Sequence, residues 1–480
     1  MLARATDRAL ALERHLSDTA TPSAPASITT KLRALPPGRL GLATGVGLVI
    51  ANMIGSGVLT TAGYMADTLG PLWILAAWVV GGMVALCGAA VYAALAEEMP
   101  ASGGEYLYLS RLVHPYAGYV AGWTSLLVGF SAPVAMAGLA AGAYLAVMLG
   151  VDARLAAVAA VVAVSCLHAL HLRTSSTAQD VLVAVKLLLL VAFIGVGLAA
   201  GQNSLPQWQA SQPTGLPGTV ASFFNSLVYI GFCYSGWNAV TYIAAEFKHP
   251  KRDVWRSMAI GTLIVIAVYL CVNWVFVANL TPADLARVKT EGEKLTLGHL
   301  VLTHLVGASG ATAMSTVVLV ALLSSLSAMT LVGPRVYAEM AVDGFLPHYF
   351  VAKPNGPPVG SVALQSAVAI ALILTQTFED LLNNAGSILT LTSMLAVIAL
   401  VVRRNALLPL RVKLAALIFV TFSAWALLFS IRNTPKTLFW IVAILVFAAA
   451  GYRFARRVPI LGAAVVPPIS VRAESSTSQN

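Results

Sequence analysis

The stretch Ala51-Asn52-Met53-Ile54-Gly55-Ser56-Gly57-Val58 lies inside an apolar run from about Gly41 to Leu69 and interrupts it at Ile54–Val58. A counterpart, Phe232-Cys233-Tyr234-Ser235-Gly236-Trp237-Asn238, interrupts a second run from about Val220 to Ala245. A bilayer core offers no water to main-chain N–H and C=O groups. An unwound stretch at that depth persists only where protein, trapped water or a guest completes its bonding. Two broken spans at equivalent places in the two halves of a chain point to a solute-binding site near the midplane.

The whole composition agrees with a membrane setting. Of 480 residues, 58% are hydrophobic and only 10% charged, where a soluble domain carries about 25%. The mean hydropathy is +0.82. A net charge of +10 would suit a nucleic-acid binder, but the basic residues gather in every second loop beside the apolar spans. That is the positive-inside pattern of a polytopic membrane protein, with no nucleic acid implied. Cys87, Cys166, Cys233 and Cys271 all fall within apolar spans, which argues against a disulfide framework or a zinc-type pair. The first ~40 residues are polar and lack an apolar h-region, so they read as a tail and not as a signal peptide.

A membrane-crossing helix needs ~20 mostly apolar residues. On that rule twelve spans are expected: the two broken runs together with Leu72–Leu95, Pro115–Leu149, Ala153–Leu170, Ala178–Ala200, Val254–Leu280, Ala311–Ala341, Val359–Gln376, Leu381–Val402, Val412–Ile431 and Thr437–Phe454. Alternating from an inside N-terminus puts Arg111, Arg173, Lys248, Lys251, Arg252, Arg256, Arg335, Lys353, Arg403, Arg404, Arg411 and Lys413 on one side. Only Arg154, Arg287, Lys289, Lys294, Arg432 and Lys436 fall on the other. Both termini are thereby expected in the cytoplasm of a cell whose plasma membrane the chain crosses. Each broken span opens a block of five, in opposite senses, as two inverted five-helix repeats would. The expected organisation is a disordered tail 1–40, a core 41–402, two appended helices 403–458 and a tail 459–480.

The glycines of Gly55-Ser56-Gly57 let the backbone leave helical geometry. The half-helix that follows then aims free N–H groups and its positive dipole end at the gap, which suits a carboxylate. The competing reading is small-residue packing between helices. Around Tyr234-Ser235-Gly236-Trp237-Asn238, unwinding frees carbonyls, which suit an ammonium group, and Phe232 is placed to act as an apolar lid. For Phe232, Tyr234 and Trp237 taken singly, ordinary packing or lipid contact competes. Donors at one gap and acceptors at the other fit a zwitterion such as an amino acid.

These residues carry a resemblance. Ala51 to Val58 looks like the first-helix signature of the amino acid–polyamine–organocation superfamily. Phe232 to Asn238, with Glu246 and His249-Pro250-Lys251-Arg252, resembles the sixth-helix signature of its L-amino-acid transporter branch. Pro100-Ala101-Ser102-Gly103-Gly104-Glu105-Tyr106 and the run from Arg335 to Pro347 are similar to two further motifs, in order. The resemblance implies the leucine-transporter fold, all-α, with alternating access. It implies that Ile54, Gly55, Ser56 and Gly57 hold a substrate carboxylate, and that carbonyls near Phe232, Cys233 and Ser235 hold the amino group, with Gly236 and Asn238 beside them. Pro334 departs from the pattern and is expected to kink the end of its helix. Asn238 follows the amino-acid branch and disfavours a polyamine.

Lys186 lies ~8 residues into its span, or ~12 Å at ~1.5 Å per residue, toward the middle of a ~30 Å core. Charges at that depth are rare and usually functional. In sodium-independent members of the resembled family a helix-5 lysine replaces a sodium ion. Lys186 would then hold the inner part of the first helix, with Ser324, Ser325 or Ser327 as polar neighbours, and pass a proton. Snorkelling to the interface competes. Glu97, Glu98 and Glu246 read first as solvated interface charges, with pairing to cytoplasmic Arg or Lys residues in an inner gate as the competing reading. His114, His168, His171, His249 and His348 are placed at or near inside loops, and no metal or cofactor motif and no HExxH, GxSxG or P-loop pattern stands out. The expectation is a sodium-independent secondary carrier of small or medium neutral amino acids, working as proton symporter or exchanger. A cationic amino acid or polyamine carrier, and a non-transporting membrane amino-acid sensor, are the alternatives.

Overall fold

The computed structural model describes residues 40–457, except 171, 203, 205, 207, 211–214, 282–283, 285–296, 353–356 and 434–435. The two expected tails, apart from Leu40, and Arg287, Lys289, Lys294 and Lys353 therefore lie outside the described residues. In chain order the helices are α1 Leu42–Met53, α2 Ser56–Met65, α3 Pro71–Glu98, α4 Glu105–Leu112, α5 Pro115–Leu149, α6 Ala153–Leu170 and α7 Leu172–Ala200. There follow α8 Gly215–Cys233, a 3-10 helix Ala239–Glu246, α9 Pro250–Asn279, α10 Leu297–Val342, α11 Val359–Thr375, α12 Phe378–Arg404, α13 Leu410–Asn433 and α14 Lys436–Arg457. Among the described residues there is no strand, and a single isolated bridge pairs Leu40 with Phe247.

Local chemistry sets several boundaries. Proline opens α3, α5 and α9, where its missing N–H and fixed φ cost nothing. Asp253 in α9 and Glu379 and Asp380 in α12 sit in first turns, against the positive end of the dipole. Among the described residues seven helices are long and apolar enough to cross a membrane, and four further apolar stretches are shorter. Their outer faces expose Leu155, Leu188, Val191, Leu417 and Leu428, which suits a lipid solvent.

Both expected breaks are present, each narrower than the sequence suggests. In the first, only Ile54 and Gly55 leave the helix; Ser56 and Gly57 already belong to α2. In the second, Phe232 and Cys233 finish α8, and a turn spans Tyr234–Asn238. The half that follows is 3-10 and not α. Its main chain is bonded sideways: Gly103 N–H donates to Tyr242 O (3.2 Å), and Ala245 N–H donates to Ser102 Oγ (3.1 Å).

Three expectations are corrected. α10 stays helical through Pro334; its irregular residue is Gly307 (φ 75°), at the other end. The Arg335 guanidinium donates to Leu331 O in the turn around Pro334 and so helps hold it. His168 is buried, 2.7 Å from Ser327 Oγ, and is not a loop residue. Glu98 and Glu246 are ion-paired, with Arg404 (2.6 Å) and Arg335 (2.7 Å), in place of the expected solvation. The expected long span Pro115–Leu149 holds, with a π-helical turn over Ser125–Phe130. Such turns recur at functional sites.

Gly236 is the pivot of the second break. Its φ is +100°, and a Cβ there would meet Asn52 O at 2.9 Å, main chain against main chain. Gly236→Ala is therefore expected to destabilise the protein by about 1–3 kcal/mol. Thermal unfolding of the purified protein in detergent reads this; an unchanged melting temperature contradicts it.

Candidate functional site

The two breaks face each other, and a cavity lies between them. Asn52, Met53, Gly55 and Gly57 line it from the first break, and Phe232, Cys233 and Ser235 from the second. Pro133 of α5 and Ser325 and Met329 of α10 close it. Its volume is ≈ 20 Å³, close to what a single water needs at roughly 10–15 Å³. A guest the size of an amino acid fits only when Phe232 and Met329, at its apolar edges, move. No lining side chain is ionisable as an acid or base of the Asp, Glu, Lys, Arg or His type.

The main-chain carbonyls released by the breaks are taken by two side chains from neighbouring helices. Lys186 of α7 is fully buried; its Nζ donates to Ala51 O (3.2 Å) and Ile54 O (2.7 Å). It does not snorkel. Among the described residues neither bond goes to Ser324, Ser325 or Ser327. Ser327 pairs with His168, and Ser325 Oγ packs against Gly55, 3.0 Å from where a Cβ would stand. The hydroxyl of Tyr269 in α9 lies between Met53 O and Cys233 O (2.9 Å), one residue serving both gaps. Phe232 O accepts Ser235 N–H (2.9 Å).

The donor side differs. The first turn of α2 has no side-chain cap: its cap residue, Gly55, has no side chain to offer. Uncapped N–H groups at a helix N-terminus carry partial positive charge and bind anions. Gly55 and Gly57, at this terminus, border the cavity. Acceptors near the breaks are engaged by Lys186 and Tyr269, while donors at α2 face the gap.

The residues expected at the site divide accordingly. Gly55, Gly57, Phe232, Cys233, Ser235 and Ser325 line the cavity. Ile54 contributes its carbonyl to Lys186, and Gly236 packs on Asn52. The side chain of Ser56 lies outside the described residues. Asn238 stands away from the cavity lining; its amide donates to Glu105 Oε1 (2.6 Å). The sequence reading passed over Tyr269 and Asn52. A tyrosine within an apolar span gives little signal, since packing explains it equally well. Asn52 itself lines the cavity, but a lone amide inside an apolar run is equally well explained by packing. Its Nδ2 donates to Leu48 O (2.8 Å), and its Oδ1 has no partner among the described residues.

Residues 40–467 match the family model described as "Amino acid permease". The b(0,+)-type amino acid transporter 1 of Mus musculus is 29% identical over 277 residues, 55% of this chain and 55% of that protein, so the match spans just over half of its length. The serine/threonine exchanger SteT of Bacillus subtilis is 27% identical over 346 residues, 70% of this chain and 76% of that one. The large neutral amino acids transporter small subunit 2 of Homo sapiens is 25% identical over 425 residues, 82% and 76%.

Tyr269→Phe deletes the one hydroxyl placed between Met53 O and Cys233 O; its single proton serves one of them at a time, so one buried carbonyl is left short of a donor. The expected loss is about 1–3 kcal/mol. Thermal unfolding compared with Cys271→Ala, an exposed position on the same helix, measures it. Equal melting temperatures for the two variants contradict the assignment.

Proposed function

The chain belongs to the amino acid permease family, and from that premise we propose that it is a secondary transporter of amino acids with small or medium neutral side chains. The observation that carries this reading is the uncapped N-terminus of α2 opening on a cavity with no charged lining. The substrate carboxylate takes the N–H groups of Gly55, Ser56 and Gly57. The ammonium takes the remaining lone pairs of main-chain carbonyls of the second break, around Phe232, Cys233 and Ser235, each carbonyl oxygen having two. Phe232 and Met329 set the room for the side chain. A cationic amino acid or a polyamine would need an acid in the pocket, and none lines it.

In this reading twelve crossings make up the protein, with the core in residues 41–402, two inverted five-helix repeats and α13 and α14 appended. Both termini face the cytoplasm across the plasma membrane. The bundle of α1, α2, α3, α8, the 3-10 helix and α9 rocks against α5, α10 and α12, exposing the cavity to each side in turn. Lys186 ties the end of α1 to α7 where another carrier would use a cation, so that transport is independent of sodium. Releasing and regaining its two carbonyl contacts couples occupancy of the cavity to movement of α1. Whether the carrier exchanges substrates or takes a proton with each is decided by the same experiment.

Uptake of a panel of labelled amino acids into proteoliposomes tests the proposal, with and without a pH gradient and with and without internal substrate. Small neutral amino acids are expected to enter without sodium. Uptake confined to lysine, arginine or polyamines contradicts the reading. Lys186→Ala is expected to lower uptake by more than about tenfold while substrate affinity in detergent changes much less. Unchanged uptake in that variant removes the coupling role.

A further inference from the structure

The loop Ser102-Gly103-Gly104-Glu105, between α3 and α4, has no part in the function so far, yet it grips the broken helix. Ser102 and Gly103 bond its main chain, as described above. Glu105 opens α4 and is 2% exposed. Its Oε1 accepts from Tyr92 of α3 (2.8 Å), Asn238 (2.6 Å) and Ser393 of α12 (3.3 Å). Its Oε2 accepts from the Tyr242 hydroxyl of the 3-10 helix. Gly104 makes this approach possible: its φ is +54°, and a Cβ there would stand 2.3 Å from the Tyr242 ring. Among the described residues four donors and no basic partner converge on one carboxylate. Such charge-assisted bonds are the stronger kind, and a buried carboxylate that loses them is costly.

The partners come from both sides of the proposed motion. Tyr92, Asn238 and Tyr242 belong to the rocking bundle; Ser393 belongs to the opposing part, to which α4 leads through α5. We propose that Glu105 is a positioning residue, the latch that holds the inner half of the broken helix closed over the cavity at this end of the molecule. Arg335–Glu246 and Arg404–Glu98 lie at the same end and seal its rim. Exposed to water at 20–38% of their side-chain surface, they are weak ties beside the buried carboxylate. The assignment of sides to the motion rests on the transport reading.

The cavity carries its own reporter, Cys233. In protein whose Cys87, Cys166 and Cys271 are replaced by alanine, Cys233 is the remaining thiol. A small membrane-impermeant methanethiosulfonate is applied to membrane vesicles of each orientation. Tyr242→Phe, which removes one strong hydrogen bond, is expected to speed modification from the face of the 99–104 loop by about tenfold, and Glu105→Ala, which removes all four, by at least as much, with the opposite face unchanged or slower. Glu105→Gln, which keeps the volume and one acceptor, falls between. Acceleration from both faces alike means general loosening and overturns the proposal, as does no acceleration in protein that elutes as a single intact species. Tyr242→Phe carries the test if Glu105→Ala does not fold. Labelling does not require transport. One-sided acceleration in a protein that moves no amino acid would therefore support the latch while removing the transport reading.

Discussion

Everything in this structure turns on where the main chain finds hydrogen bonds once its helices break inside an apolar protein. Each carbonyl or amide left without a partner there costs several kcal/mol. Two side chains answer for the acceptors. Lys186 takes Ala51 O and Ile54 O, and Tyr269 takes Met53 O and Cys233 O. The aromatic rings of Trp78, Tyr234 and Tyr269, with centroids 5.0–5.7 Å apart, pack beside the second gap and hold Tyr269 in place. Among the described residues no side-chain cap bond answers for the first N–H groups of α2. The imbalance gives the cavity its chemical sense: it asks for an anion at one wall.

The same balance explains why the breaks are short. A longer unwound stretch would release more groups than Lys186 and Tyr269 can serve. The first break is therefore confined to Ile54 and Gly55, and the second resumes as a 3-10 helix that borrows bonds from the loop beside it. The second half of that span thus adds to its own 3-10 ladder two main-chain bonds from the 99–104 loop. That places it among the segments whose packing can change without unfolding a helix.

Much of this was legible in the sequence. Small residues at Gly55, Gly57 and Gly236 sit inside runs too apolar to be loops, and they locate both breaks to within a few residues. Lys186 announces itself because a cation in the middle of Val183–Val191 is rare at that depth, with snorkelling the one competing explanation. The partners of Lys186 were less legible. Serines of α10 were the expected neighbours, but main-chain carbonyls outcompete hydroxyls at a helix end that has lost its own donors. Pro334 misled for a related reason: a proline near a helix end costs little when the surrounding turn is held by packing and by the Arg335 side chain. Asn238, Glu98, Glu246 and His168 were misread because their partners, Glu105, Arg404, Arg335 and Ser327, lie from 89 to more than 300 residues away along the chain. Long-range pairing of single polar residues leaves no local pattern to read.

The central claim is that a zwitterion completes the bonding left open between α2 and the second break. A high-resolution structure of the protein with a saturating neutral amino acid tests it most directly. The account expects ligand density with the carboxylate on the N–H groups at Gly55–Gly57 and the amino group beside Phe232–Ser235, with Phe232 or Met329 displaced. Density at another place, or a cavity unchanged under conditions where binding is measured, contradicts it.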